Sequence, residues 1–105
     1  MLTKEEILDY LREIKPELEK DGITKIGLFG SYVKDKASIY SDIDITIETT
    51  DKFVKNFTGF KALIYLDDLR NKIARYFKTP TDLCDSAGFK DDVKRQKVLK
   101  GVIYV

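Results

Sequence analysis

The chain has 105 residues, enough for one domain that buries roughly two thirds of the surface its unfolded form exposes, and too few for a second. Its 43% apolar and 35% charged residues exclude a disordered or fibrous chain, and no apolar run approaches the ~20 residues that span a bilayer. With 19 basic against 18 acidic residues the net charge is +1, so no global field favours nucleic acid or anionic lipid, and a small ligand or a protein partner is expected.

The first residues, Met1-Leu2-Thr3-Lys4-Glu5-Glu6, lack the apolar segment of a secretory signal, so a cytoplasmic location is expected. Thr3 with Glu6 reads as a capping box, and Ile7, Leu11, Ile14 and Leu18 follow at helical spacing, which predicts a helix over about residues 4 to 20. Pro16 removes one backbone donor inside that pattern, so a kink or a break into two shorter helices is expected there. Gly22 ends the helix. Residues 25 to 29 form a short strand closed by Gly30.

Residues 35 to 41, polar and mixed, read as a loop. Ile43, Ile45 and Ile47 then alternate with Asp42, Asp44, Thr46 and Glu48 in a second strand. From about 58 to 77, Phe60, Leu63, Leu66, Leu69, Ile73 and Phe77 recur every three or four residues as a helix, stopped by Thr79-Pro80. Residues 81 to 85 make a third strand and 86 to 88 a turn. Residues 91 to 100 read as a basic helix with Val93, Val98 and Leu99 as its apolar positions. Gly101 releases residues 102 to 105 as an extended tail on the core. This order predicts an α/β fold, a small mixed sheet with flanking helices, in a single domain over residues 1–105.

Cys84 is the lone cysteine and there is no histidine. An internal disulfide, a zinc-finger-type site and the Ser/His and Cys/His triads are thereby excluded. Catalysis must rest on carboxylates, hydroxyls, lysines or metal. Gly30 allows close backbone approach to a ligand, and Ser31 is placed to cap a short helix beginning near Tyr32, whose free N–H groups would point at an anion. A Gly-Ser turn after a buried strand is also common for purely structural reasons. The pattern lacks the second Gly and the Lys-Ser/Thr pair of a P-loop, and Gly27 and Gly30 are wrongly spaced for a dinucleotide fingerprint.

Asp42 and Asp44 stand two apart on a strand, so both side chains leave one face with Cα atoms roughly 6.5 to 7 Å apart. Such a pair suits Mg²⁺, which keeps several waters and takes its remaining ligands from substrate phosphates. The same residues also fit the wet face of a half-buried strand. Against that, Asp is depleted in strands and like charges on one face repel unless screened. An EF-hand is disfavoured because Ile47 occupies the position that loop reserves for Gly.

Asp82 is the third acidic candidate, with Asp85 on the opposite strand face as its rival. Beside the second strand, Asp82 would complete a carboxylate cluster able to take a proton from an attacking hydroxyl. Lys34 and Lys36 are candidates for phosphate contacts, although loop lysines are usually just solvated. Lys94, Arg95, Lys97 and Lys100 read as a solvated face without the interleaved aromatics of an RNA site, and Cys84 as a core filler.

Taken together, "IGLFGSYVKDKASIYSDIDITIE", the downstream "TPTDLCD" and the ending "VLKGVIYV" resemble the minimal nucleotidyltransferases of the DNA polymerase beta superfamily, small antitoxin-like proteins often paired with HEPN-domain toxins. The resemblance covers nearly the whole chain. It implies the polymerase beta-like nucleotidyltransferase fold, with Gly30 and Ser31 holding the phosphates of ATP and Asp42 and Asp44 binding Mg²⁺. Asp82 would then assist the metal and activate the acceptor. Relatives commonly carry Arg-Gly a few residues after the Ser, where this chain has Lys34-Asp35, so a bidentate phosphate contact is reduced to a point charge from Lys34.

Nucleotidyl transfer is an in-line displacement at the α-phosphorus, and Mg²⁺ held by shared carboxylates stabilises both the attacking oxygen and the leaving pyrophosphate. So short a chain is expected to borrow its acceptor-binding wall from a partner. The implied function is transfer of AMP from ATP to a hydroxyl, Tyr above all, of a cognate HEPN-type toxin, as the antitoxin of that pair. Two alternatives stand beside it: a non-catalytic binding antitoxin of the same fold, and a small-molecule nucleotidyltransferase acting alone or as a homo-oligomer.

Overall fold

Thr3 caps the first helix as expected, its side-chain oxygen accepting from the Glu6 N–H, while the return bond of the box runs from the Thr3 hydroxyl, not its backbone N–H, to Glu6 Oε1, each at 3.2 Å. The computed structural model describes residues 2–88 and 100–105. Helix α1 (Lys4–Asp21) runs unbroken through Pro16, and the expected division into two helices is absent. The physical reason is the face on which Pro16 lies. It is exposed, so water can take the carbonyl that loses its donor, while Ile7, Leu8, Leu11, Ile14 and Leu18 remain buried on both sides of it. Packing along the whole apolar stripe outweighs one missing hydrogen bond.

Gly22 closes α1 with a left-handed turn, and its N–H reaches the carbonyls of Leu18 and Glu19. Strand β1 (Ile23–Phe29) follows at once. It begins two residues before the predicted strand, because Ile23 pairs with Thr49 across an irregularity in the register. Strand β2 (Ile43–Thr49) is antiparallel to β1. Strand β3 (Thr81–Asp85) is parallel to β2, and the short β4 (Ile103–Tyr104) pairs antiparallel with β1. The sheet order is therefore β3-β2-β1-β4, a mixed α/β sheet as expected.

One sheet face carries Ile26, Leu28, Ile43, Ile45 and Ile47, all fully buried and joined in one core with the apolar stripe of α1. Between β2 and β3 lie α2 (Asp51–Asn56) and α3 (Phe60–Phe77). The sequence reading did not anticipate α2. Phe53 and Phe57 are its signal, four residues apart and packed edge-on and tilted, respectively, against Tyr65 of α3, whose hydroxyl donates to Asp21 at 2.7 Å and ties α3 to α1.

Helix α3 keeps the predicted end but not the predicted burial. Leu69 and Ile73 are buried, whereas Phe60 and Leu63 are 81% and 63% exposed, because only the later turns lie over the core. The tail docks as expected, with the Val105 N–H donating to the Ile26 carbonyl at 3.0 Å. The basic helix expected over 91 to 100, including Lys94, Arg95 and Lys97, lies outside the described residues except for Lys100. Among the described residues no helix is long and apolar enough to cross a membrane.

Candidate active site

Strand β1 leads directly into a tight 3₁₀ turn, Gly30–Tyr32. Gly30 adopts φ +81, a left-handed conformation that side chains with a Cβ rarely tolerate. Its carbonyl accepts from the N–H groups of both Val33 and Lys34 at 3.2 Å, and the Ser31 carbonyl accepts from Lys36 N–H at 3.0 Å. Tyr32 is buried and anchors the turn in the core. The expected capping role of Ser31 is corrected here. The cap position belongs to Phe29, which makes no side-chain cap, and Ser31 lies inside the turn.

Beyond the turn, Lys34 is exposed and Asp35 takes φ +56. Such a left-handed backbone favours glycine at that position. Asp is among the few other residues that accept it. The Asp35 carboxylate also stands 3.9 Å from Lys4 Nζ, a loose tether between the loop and the start of α1.

Asp44 is the centre of the arrangement. The sheet register sets it opposite Phe29 of β1 on one side and opposite Asp82 of β3 on the other. Since Gly30 follows Phe29, the Asp44 carboxylate comes to rest against the Gly30 backbone. A Cβ built on Gly30 would lie 2.2 Å from Asp44 Oδ2. Asp42 is exposed and lies just ahead of β2 rather than within it. The Ile43 N–H donates to the Pro80 carbonyl at 2.9 Å and thereby locks the start of β2 to the start of β3.

Burial pushes the Asp44 carboxyl above its ordinary range, and repulsion from Asp82 and then from Asp42 pushes it further. Asp44 thus feels two further carboxylates at the end of the sheet beside the Gly30 turn. Among the described residues no group of three or more carboxylate, Cys or His side chains is gathered closely enough to hold a metal ion by itself. The donor set still fits a hard cation. Its ligands are all carboxylate oxygens, no ion pair with Asp44 is present among the described residues, and Mg²⁺ needs only one or two protein carboxylates alongside water and phosphate.

Asp85 is spent elsewhere. Its carboxylate accepts from Thr49 Oγ1 at 2.6 Å, Thr49 N–H at 3.3 Å and Ala87 N–H at 3.0 Å. It clamps the far end of β3 to the end of β2, in the register position opposite Ile47. Thr46, two residues beyond Asp44 on the same face, is fully buried, and its hydroxyl has no hydrogen-bond partner among the described residues.

A further feature escaped the sequence reading. The Ser38 N–H donates to Ser41 Oγ at 2.8 Å, Ser41 N–H to the Ser38 carbonyl at 3.0 Å, and Tyr40 N–H to Ser38 Oγ at 3.2 Å. These bonds build a closed turn immediately before Asp42, with Ile39 and Tyr40 at its tip, 77% and 87% exposed. Two serines bracketing the pair were the available signal.

Residues 5–105 match the nucleotidyltransferase domain family. The protein adenylyltransferase MntA of Thermococcus cleftensis is 33% identical over 106 residues, covering 100% of this chain and 98% of the relative. A Methanocaldococcus jannaschii chain described as a candidate protein adenylyltransferase is 32% identical over 108 residues, with both chains covered in full. Among solved structures, a toxin–antitoxin complex with AMP-PNP superposes with a TM-score of 0.65 at 26% identity, over 98% of this chain and 72% of that one. A Tyr-to-Ala variant of the MntA–HpeT toxin–antitoxin complex superposes with a TM-score of 0.62 at 26% identity, over 100% and 72%. The chain belongs to the nucleotidyltransferase domain family, among the minimal nucleotidyltransferases that include MntA.

Proposed function

We propose that this protein is a Mg²⁺-dependent protein adenylyltransferase that transfers AMP from ATP to a hydroxyl, preferentially of Tyr, on a cognate HEPN-type toxin, and so acts in the cytoplasm as the antitoxin of that pair. The whole chain, residues 1–105, serves as one domain. The observation that carries this reading is the contact of Asp44 with Gly30 while Asp82 stands across the sheet from it. A left-handed glycine turn and a carboxylate that feels two further carboxylates meet at one place.

In this reading Asp42 and Asp44 hold Mg²⁺, with Asp82 as the third carboxylate. The cation supplies charge neutralisation at the α-phosphate and at the departing pyrophosphate. Gly30 and Ser31 admit the phosphates close to the backbone, and Lys34 adds a mobile positive charge. The acceptor oxygen attacks the α-phosphorus in line, the bond from that phosphorus to the bridging oxygen breaks, and pyrophosphate leaves. Asp82 takes the acceptor's proton, since it is exposed and not engaged as Asp85 is.

The test is mass spectrometry of the HEPN-type partner after incubation with ATP and Mg²⁺. The expected result is a mass gain of one AMP on a Tyr-containing peptide with the wild-type chain and none with Asp42→Asn. A partner that keeps its mass, with wild type and Asp42→Asn behaving alike, overturns the reading.

A further inference from the structure

We propose that the exposed turn tip Ile39–Tyr40 is an acceptor-docking element, which seats an apolar patch of the toxin around the hydroxyl to be modified. This rests on the proposed reading that the acceptor is a protein. Tips of tight turns are normally Gly, Asn, Asp, Ser or Pro, whereas here two adjacent large apolar side chains stand 77% and 87% exposed. The backbone that presents them is tied. Ser38 and Ser41 close the turn through three hydrogen bonds, so little backbone ordering remains to oppose binding.

Position gives the tip its occupant. Tyr40 is two residues from Asp42, so their Cα atoms are at most about 7 Å apart. An acceptor hydroxyl brought to the α-phosphorus beside Asp42, Asp44 and Asp82 carries its surrounding surface against this turn. An aliphatic and an aromatic side chain displayed side by side on a hydrogen-bonded turn form the kind of anchor that dominates protein interfaces. The large fold relatives found in complex with a toxin make a protein surface the fitting partner, rather than a membrane or a nucleic acid, toward which the net charge of +1 gives no attraction.

The experiment compares wild type, Ile39→Ser/Tyr40→Ser and Ile39→Leu/Tyr40→Phe, with thermal melts confirming that all three fold. Calorimetry measures affinity for AMP-PNP with Mg²⁺ and, separately, for the HEPN-type partner. The polar variant is expected to bind AMP-PNP as wild type does and the partner about tenfold or more weakly, while the conservative variant binds both normally. Unchanged partner affinity in the polar variant overturns the inference. So does loss of AMP-PNP binding in that variant, which would make the tip a nucleotide contact. Partner affinity is read whether or not AMP is transferred, so failure of the adenylylation reading alone, seen as a wild type that binds without labelling, is a distinct result.

Discussion

The Asp44 carboxylate rests on the α-carbon of Gly30, with no room for a methyl group between them: a Cβ there would meet Oδ2 at 2.2 Å. A strand residue and a turn residue fourteen positions apart therefore share one surface. That contact brings the turn proposed to admit phosphate to the carboxylates that would hold the cation.

Gly30→Ala tests it directly. The left-handed backbone at φ +81 and the clash with Asp44 act together, and the variant is expected to lose about 1–3 kcal/mol of unfolding free energy. Relief of the clash turns Asp44 away from the turn, so affinity for AMP-PNP with Mg²⁺ should fall about tenfold, or ~1.4 kcal/mol. Urea unfolding and calorimetry check the two effects. An alanine variant that binds as wild type does would show that the contact is incidental.

Asp44 also predicts a pH dependence. Its folded pKa lies above the ordinary 3.8, so above that value the folded state holds its proton more tightly than the unfolded state does. Stability from this group is therefore present at low pH and declines as pH rises from 3.8 through the raised folded pKa. Asp44→Asn should abolish that decline and be more stable than wild type near neutrality. Mg²⁺ competes with the proton, so its stabilising effect on wild type should grow across the same interval and be lost in the variant. Thermal melts from pH 3 to 8, with and without Mg²⁺, distinguish these behaviours.

Asp82 and Asp85 should separate function from stability. Asp85→Ala leaves the two Thr49 donors and the Ala87 N–H without their acceptor and is expected to cost about 1–3 kcal/mol, with Mg²⁺ affinity retained. Asp82→Asn is expected to fold at least as stably as wild type, since it relieves repulsion on Asp44, while transfer falls by about a hundredfold or more. Equal loss of transfer in both variants would remove the distinction.

Thr46→Val addresses the buried hydroxyl that has no partner among the described residues. The two side chains are nearly isosteric, and an unsatisfied buried polar group costs about 1–3 kcal/mol, so the valine variant should be more stable by an amount of that order. Denaturant titration checks it. A destabilised valine variant would mean that the hydroxyl is satisfied in solution.

Local signals made much of the fold legible. The capping box at Thr3, the isoleucine alternation of β2 and the strand at 81 to 85 all arise from interactions within a few residues, which a sequence states directly. The misses share a different origin. Pro16 failed to break α1 because the helix is held by a core many residues away, and α2 is too short for its periodicity to stand out. The exposure of Phe60 and Leu63 could not be read either, since helical spacing marks an apolar face without saying what covers it.

By itself the sequence determined which residue types were available: carboxylates without histidine, a Gly-Ser turn, and two aspartates of opposite facing at 82 and 85. Only the tertiary structure decided which of those two stands across from Asp44, because facing alternates along every strand and just the pairing register between strands aligns one parity with another. The same register carried Asp44 onto Gly30. Chain composition and local preference are properties of neighbours in sequence. The meeting of turn and carboxylates is a property of how the sheet closes.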